Sequence, residues 1–256
     1  MRASGLSFTS ASTFALAFLA VTTASHAGAG ADAQPQAVAV SASHAVGELP
    51  YRYFLEMQHH LEGHLPPGPR LVDLWFRVGA PGMTEAQRDA HMARGWQVAV
   101  RSRTVDAVVP LRRGTYFTLP EIKDAYDERG EIVVNGTYRP WLNIWWTLRV
   151  PGSRRMAYAD IARARAQIRV VQDRVSAYAP SLQNVRRRPY DGIKACFLDG
   201  SGAILVDGRA VADAAEGDCK ILYLDAAREA RGEMVEFAGP LDVVSFIDRR
   251  YYAQAK

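Results

Sequence analysis

Three histidines, His59, His60 and His64, stand close to Glu56 and Glu62. Imidazoles four residues apart share a helix face, so His60 and His64 have the spacing of a metal-binding pair. The H-E-x-x-H order of a helical zinc site is absent, Gly63 interrupts the helix between the two, and no fourth ligand follows nearby. A polar helix end beside solvent accounts for the same residues, and no metal set is assigned. Glu121, Asp124, Asp127, Glu128 and Glu131 concentrate carboxylates, and paired carboxylates can hydrolyse glycosides. These fall at helical spacings beside Lys123 and Arg129, the pattern of a solvated helix face.

Nucleophile and cofactor motifs are missing. The sequence holds no G-x-S-x-G, and no S-x-x-K in a strand–helix setting. Ser201 sits in a glycine-flanked turn, where a hydroxyl shapes the backbone. Cys196 and Cys219 are too far apart for a C-x-x-C redox pair, and no glycine-rich loop cradles a phosphate. The sequence therefore predicts neither a catalytic residue nor a cofactor.

Aromatic and cationic residues are the better lead. Tyr138, Trp141 and Trp145 could form a platform for sugar rings, because Trp145 should point away from the face that carries Trp146. Packing beneath a helix or a second sheet is the preferred reading of these rings, since tryptophans are mostly buried. Net charge is +4, but it is unevenly divided. Between Arg139 and Arg188 eleven arginines face only Asp160 and Asp173, whereas the chain from Pro189 onward carries eight bases and twelve acids. Clustered arginine pairs well with phosphate or carboxylate. Arg163, Arg165, Arg169, Arg186, Arg187 and Arg188 are the candidate contacts. On a helical wheel Arg163 and Arg174 flank one side of an apolar stripe, and Arg165 and Arg169 flank the other.

The elements that position these residues follow from periodicity. The chain opens with Arg2, an unbroken apolar run from Phe14 to Val21, and Ser25-His26-Ala27, the three parts of a secretory signal peptide over residues 1–27. Eight apolar residues span about 12 Å as a helix, too short for a bilayer. No later run is long enough, so no transmembrane segment is expected after cleavage. Residues 28–48, rich in Ala, Gln and Ser, read as a flexible tether. An exported chain favours a disulfide between Cys196 and Cys219.

Leu49 to Glu62 has helical periodicity and Leu71 to Val78 alternates as a strand. Thr84 and Gln87 make a capping box for a helix over Met83–Arg94. Trp96–Ser102 and Val105–Leu111 read as paired strands, and Thr118-Leu119-Pro120-Glu121 as a second capping box, its helix closed by Gly130. Ile132 to Val150 reads as a central Trp-rich hairpin, and Tyr158 to Tyr178 as a long helix with Ile161, Ala164, Ile168, Val171, Val175 and Tyr178 on one stripe. Five strands follow.

The sum is an α+β fold: mainly antiparallel β-sheet with two or three helices packed on one face and a strand-rich C-terminal section. Residues 49–180 form an α+β region and 190–256 a β-rich one, joined by a basic connector. The expectation for function is a periplasmic or secreted, non-catalytic protein that binds another protein or an anionic envelope component. Nucleic acid is disfavoured by export. The alternative is a cell-envelope hydrolase acting on glycan or peptide through an aromatic-lined cleft.

Overall fold

Val72, Leu74, Phe76 and Val78 are all buried, as the alternation along this segment requires. They form one face of β1 (Val72–Gly79), which lies inside the largest sheet among the described residues. The computed structural model describes residues 49–79, 82–135, 141–175 and 188–250. The expected signal peptide and tether lie outside the described residues. Seven strands build the large sheet, in the order β11 (Ala214–Glu216), β12 (Cys219–Tyr223), β8 (Gly192–Phe197), β14 (Leu241–Ile247), β6 (Trp141–Leu148), β1 and β4 (Tyr116–Phe117). A four-stranded sheet runs β10 (Arg209–Ala210), β9 (Ala203–Val206), β13 (Met234–Ala238), β7 (Arg155–Ala157). A three-stranded one runs β3 (Asp106–Val109), β2 (Val98–Arg101), β5 (Glu131–Val134). Every strand pairing among the described residues is antiparallel, and the fold is α+β.

Two longer helices, α1 (Tyr51–Gly63) and α4 (Tyr158–Arg174), cover one face of the large sheet. On α4 the buried residues include Ile161, Ala164, Ile168 and Val171, with Val175 just beyond its end, which is the apolar stripe read from the sequence. Tyr178 lies outside the described residues. Phe54 of α1 meets the ring of Phe76 edge-on at 5.8 Å, placing α1 over the same face. One continuous apolar cluster joins this face to Val100 and Ile132 of the small sheet and to Val206 and Phe237 of the four-stranded one. Strands from both sides of the basic connector thus share a sheet and a core.

Among the described residues three shorter helices sit at the margins: α2 (Glu85–Ala93), α3 (Lys123–Asp127) and α5 (Ala226–Ala230). At α2 the capping box forms as read, with Thr84 accepting from the Gln87 N–H and Gln87 accepting from the Thr84 N–H. At α3 the expected box at Thr118 does not form. The Tyr51 hydroxyl donates to the Pro120 carbonyl at 2.5 Å and accepts from the Ile122 N–H at 2.9 Å, so the helix begins only after Ile122. At its far end the left-handed residue is Arg129 (φ 54°), and Gly130 serves a different need. A Cβ there would lie 2.7 Å from the Arg101 carbonyl oxygen, so glycine permits the close passage of two backbones.

The central hairpin is corrected by the structure. β5 pairs with β2, whereas β6 pairs with β1 and β14, so the two runs between Ile132 and Val150 belong to different sheets. Asn135 explains the divergence. Its N–H donates to the Gln97 carbonyl (3.1 Å), its side-chain oxygen accepts from the Gln97 N–H (2.5 Å), and its amide donates to the Gly95 carbonyl (2.9 Å). The chain leaving β5 is therefore held against residues 95–97 instead of turning back on itself.

Glu128 ties the β2–β3 turn to the end of α3. Its carboxylate accepts from the Ser102 hydroxyl (2.7 Å), the Thr104 N–H (2.9 Å) and hydroxyl (3.0 Å), and the Arg103 guanidinium (3.1 Å). These donors, the Ser102 hydroxyl foremost, hold its pKa at about 2, against an ordinary 4.5. The unfolded chain lacks them. Glu128 therefore contributes stability in full above about pH 4.5, and that contribution fades as pH falls towards 2. Glu128→Gln should flatten the acid limb of a stability–pH curve across that window relative to the wild type, as read by denaturant unfolding at fixed pH values. Coincident curves would show that the carboxylate is not engaged in this way.

Candidate functional site

Because the apolar stripe of α4 is pinned to the sheet, its arginines divide between two flanks. On one flank Arg163 pairs with Asp160 and borders a 280 Å³ cleft with Pro66, Pro69, Leu71 and Val170. Further along, Arg174 donates to the His64 carbonyl at 3.3 Å. Gln167 closes this side by donating to the Pro69 carbonyl (2.7 Å) and accepting from the Leu71 N–H (3.0 Å). The flank is chiefly a structural seam between α4 and the segment that leads into β1.

The other flank is open. Arg165 and Arg169, one helical turn apart, line a 210 Å³ cavity with Tyr158, Ala162 and Ala166 of α4. Leu224, Asp225, Ala226 and Glu229, from the β12–α5 passage, form the opposite wall. That wall is rigidly placed. The Tyr158 hydroxyl accepts from the Asp225 N–H at 2.7 Å, and the Asp225 carboxylate caps α5 by accepting from the Ala227 N–H at 2.9 Å. Burial raises the pKa of the Tyr158 hydroxyl, which stays protonated. Arg165 lies deeper than Arg169, and its Nε donates to the Pro189 carbonyl at 3.4 Å. Burial, and then the like charge of Arg169, push the Arg165 pKa down, while Asp191 and Glu229 act in the opposite sense. An anion entering here would relieve both unfavourable influences, and a cavity of this size suits a headgroup rather than a drug-sized molecule.

Arg188 and Trp145 are brought together elsewhere, on the far face of the large sheet. The Arg188 guanidinium lies 4.2 Å from the centre of the Trp145 ring. Trp145 faces away from Trp146, as alternation requires, and is buried with Tyr116, Val243 and the Cys196–Cys219 disulfide. It offers no open platform. Tyr138, Arg186 and Arg187 lie outside the described residues, and of Trp141 only the backbone, paired with Gly79, is described.

This inner face holds residues that sequence reasoning missed. Tyr116 on the β4 edge reaches Ser245 on β14, oxygen to oxygen at 3.0 Å, although two strands intervene. The sheet must therefore curl upon itself. Arg112 and Arg113, just before β4, fasten the curl. Arg112 pairs with Asp242 at 3.1 Å, and Arg113 pairs with Asp218 and donates to the Leu198 carbonyl at 2.5 Å. Inside lie Arg77, 4.7 Å from the Tyr116 ring centre, and Lys194, directly across from Ser245 and 5.6 Å from the same ring. Lys194 has no exposed surface. A signal was present in GIKACF: Lys194 is two residues from Cys196, so it shares the face that the disulfide occupies.

The remaining candidates do not converge. α1 runs through Gly63, and the His60 and His64 rings meet edge to face at 4.7 Å. Burial, followed by the charges of His60 and Arg174, lowers the His64 pKa. Among the described residues no three His, Cys, Asp or Glu side chains are grouped to hold a metal ion. Glu121 pairs with His59 and Asp127 with Lys123, leaving the acids near α3 as separate surface contacts. Ser201 donates its hydroxyl and its N–H to the Asp199 carboxylate, shaping the turn between β8 and β9. Gly202 in that turn lies under the Phe197 ring, where any side chain would collide. Among the described residues no helix is long and apolar enough to cross a membrane. No protein-family model, no curated protein and no solved structure matches this chain.

Proposed function

We propose that this chain is an exported, non-catalytic binding protein of the cell envelope, holding a phosphate or carboxylate group in the cleft between α4 and α5. The observation that carries the reading is the convergence of Arg165, half-buried, and Arg169 on one cavity. The disulfide is in keeping with an oxidising compartment, and the leader-like first 27 residues supply the route. The Ser245 hydroxyl, set beside the buried Lys194, has no exposed surface, so this pair offers no open nucleophile.

Flotation with vesicles containing phosphatidylglycerol, and pull-down on anionic wall polymer, test the reading. Binding should weaken as salt rises. The Arg165→Ala/Arg169→Ala variant should bind at least about tenfold more weakly, since each lost charge-assisted contact is of that order. Unaltered binding by the double variant, or none by the wild type at low salt, would overturn the assignment of the cleft.

A further inference from the structure

The cleft that holds the two arginines also carries a carboxylate, and the inference drawn from it rests on the anion-binding reading above. Glu229 projects from α5 on the wall opposite α4. It is close enough for its charge to favour the Arg165 cation, yet it makes no ion pair with Arg165 or Arg169 within the 4 Å of a contact pair. Among the described residues its side chain has no hydrogen-bond partner, because Glu233 takes both Arg228 and Arg231. Asp225, the other acid of the wall, is engaged in capping α5. The cavity thus has a positive side at Arg165 and Arg169 and a negative side at Glu229. Ala162, Ala166, Ala226 and Leu224 add small and apolar groups to the lining.

A simple anion satisfies only the arginine side of such a cavity and leaves Glu229 without a partner. An ion carrying both charges a short distance apart satisfies both sides. We propose that the cleft takes a small zwitterion, its phosphate or carboxylate on Arg165 and Arg169 and its primary ammonium on Glu229. One or two methylene groups would lie along the alanine wall. Phosphoethanolamine, free or as a lipid headgroup, and small amino acids have this chemistry. The ammonium donates hydrogen bonds to the carboxylate, so a trimethylated headgroup should fit less well. The cavity, at 210 Å³, is below the range of sites for drug-sized ligands and appropriate to a group of this size.

The full chain is titrated calorimetrically at pH 7 with O-phosphoethanolamine, glycine and inorganic phosphate. Tighter binding of O-phosphoethanolamine than of phosphate, by about tenfold for one added charge-assisted contact, is expected. Glu229→Gln should abolish that preference while leaving phosphate binding in place, and Arg165→Ala/Arg169→Ala should remove both. Glu229 is exposed, so the Gln variant should unfold at the wild-type temperature, and a matched melting curve confirms it. Equal or tighter binding of phosphate by the wild type would overturn the zwitterion assignment and leave the anion reading standing. No binding of any of the three at millimolar concentration would overturn both. Flotation with phosphatidylethanolamine against phosphatidylcholine vesicles then separates the sources. Preferential flotation with the former assigns the headgroup, whereas binding confined to the free compounds assigns a soluble zwitterion.

Discussion

Replacing Trp146 with alanine should lower the unfolding free energy by about 3–5 kcal/mol, the cost of emptying the space of a large core aromatic. Trp146 has no exposed surface and heads the fully buried side chains by volume. It sits on β6 opposite Leu74 of β1, on the face that α1 and α4 cover, so its removal opens a void where both helices meet the sheet. Rigid strands on either side limit collapse into that void. Phenylalanine should cost clearly less. It retains most of the ring and discards a buried indole N–H that meets no acceptor among the described residues. Chemical denaturation of the two variants measures the difference. A loss below about 1 kcal/mol for alanine would mean that this face of the sheet is not closed by the helices.

The second large effect belongs to the disulfide. Cys196 on β8 and Cys219 on β12 are directly paired across the ladder and bridged, at a sequence separation of 23. Opening a loop of that length returns about 3 kcal/mol of conformational freedom to the unfolded chain, on the chain-entropy model. The bridge also lines the inner face beside Trp145 and Tyr116, so a pair of alanines there loses packing in addition. Cys196→Ala/Cys219→Ala should thus fall below the reduced wild type, which in turn should fall below the oxidised protein. Identical unfolding midpoints with and without reductant would contradict the bridge.

Local patterns were readable in the sequence, and non-local pairings were not. Alternation identified the buried side of β1 and set Trp145 and Trp146 on opposite faces of β6. A period near 3.6 marked the stripe of α4 and correctly separated Arg163 and Arg174 from Arg165 and Arg169. Alternation, however, says nothing about which strand lies alongside. Asn135 commits the end of β5 to residues 95–97 through three hydrogen bonds, and no propensity encodes that choice. Tyr51 replaces the side-chain cap expected at Thr118, a substitution from 71 residues away in sequence for the Ile122 N–H. Of the candidate site, the arginine pair was visible on the helical wheel. Its opposite wall was not, because α5 reaches Arg165 only through the tertiary fold. Lys194 was overlooked for a related reason: a lysine in a strand is ordinarily assigned to the solvent side, and only the curl of the sheet encloses it.

β14 stands fourth of seven across the large sheet, although it is the final strand of the described chain. Among the described strands it alone pairs with both the trio of β6, β1 and β4 and the trio of β8, β12 and β11. During vectorial synthesis, both trios therefore exist for a time as separate ribbons with adhesive, unsatisfied ladders. Productive assembly must wait for β14 to emerge, and an escort that shields those two ladders in the interval would have a defined task.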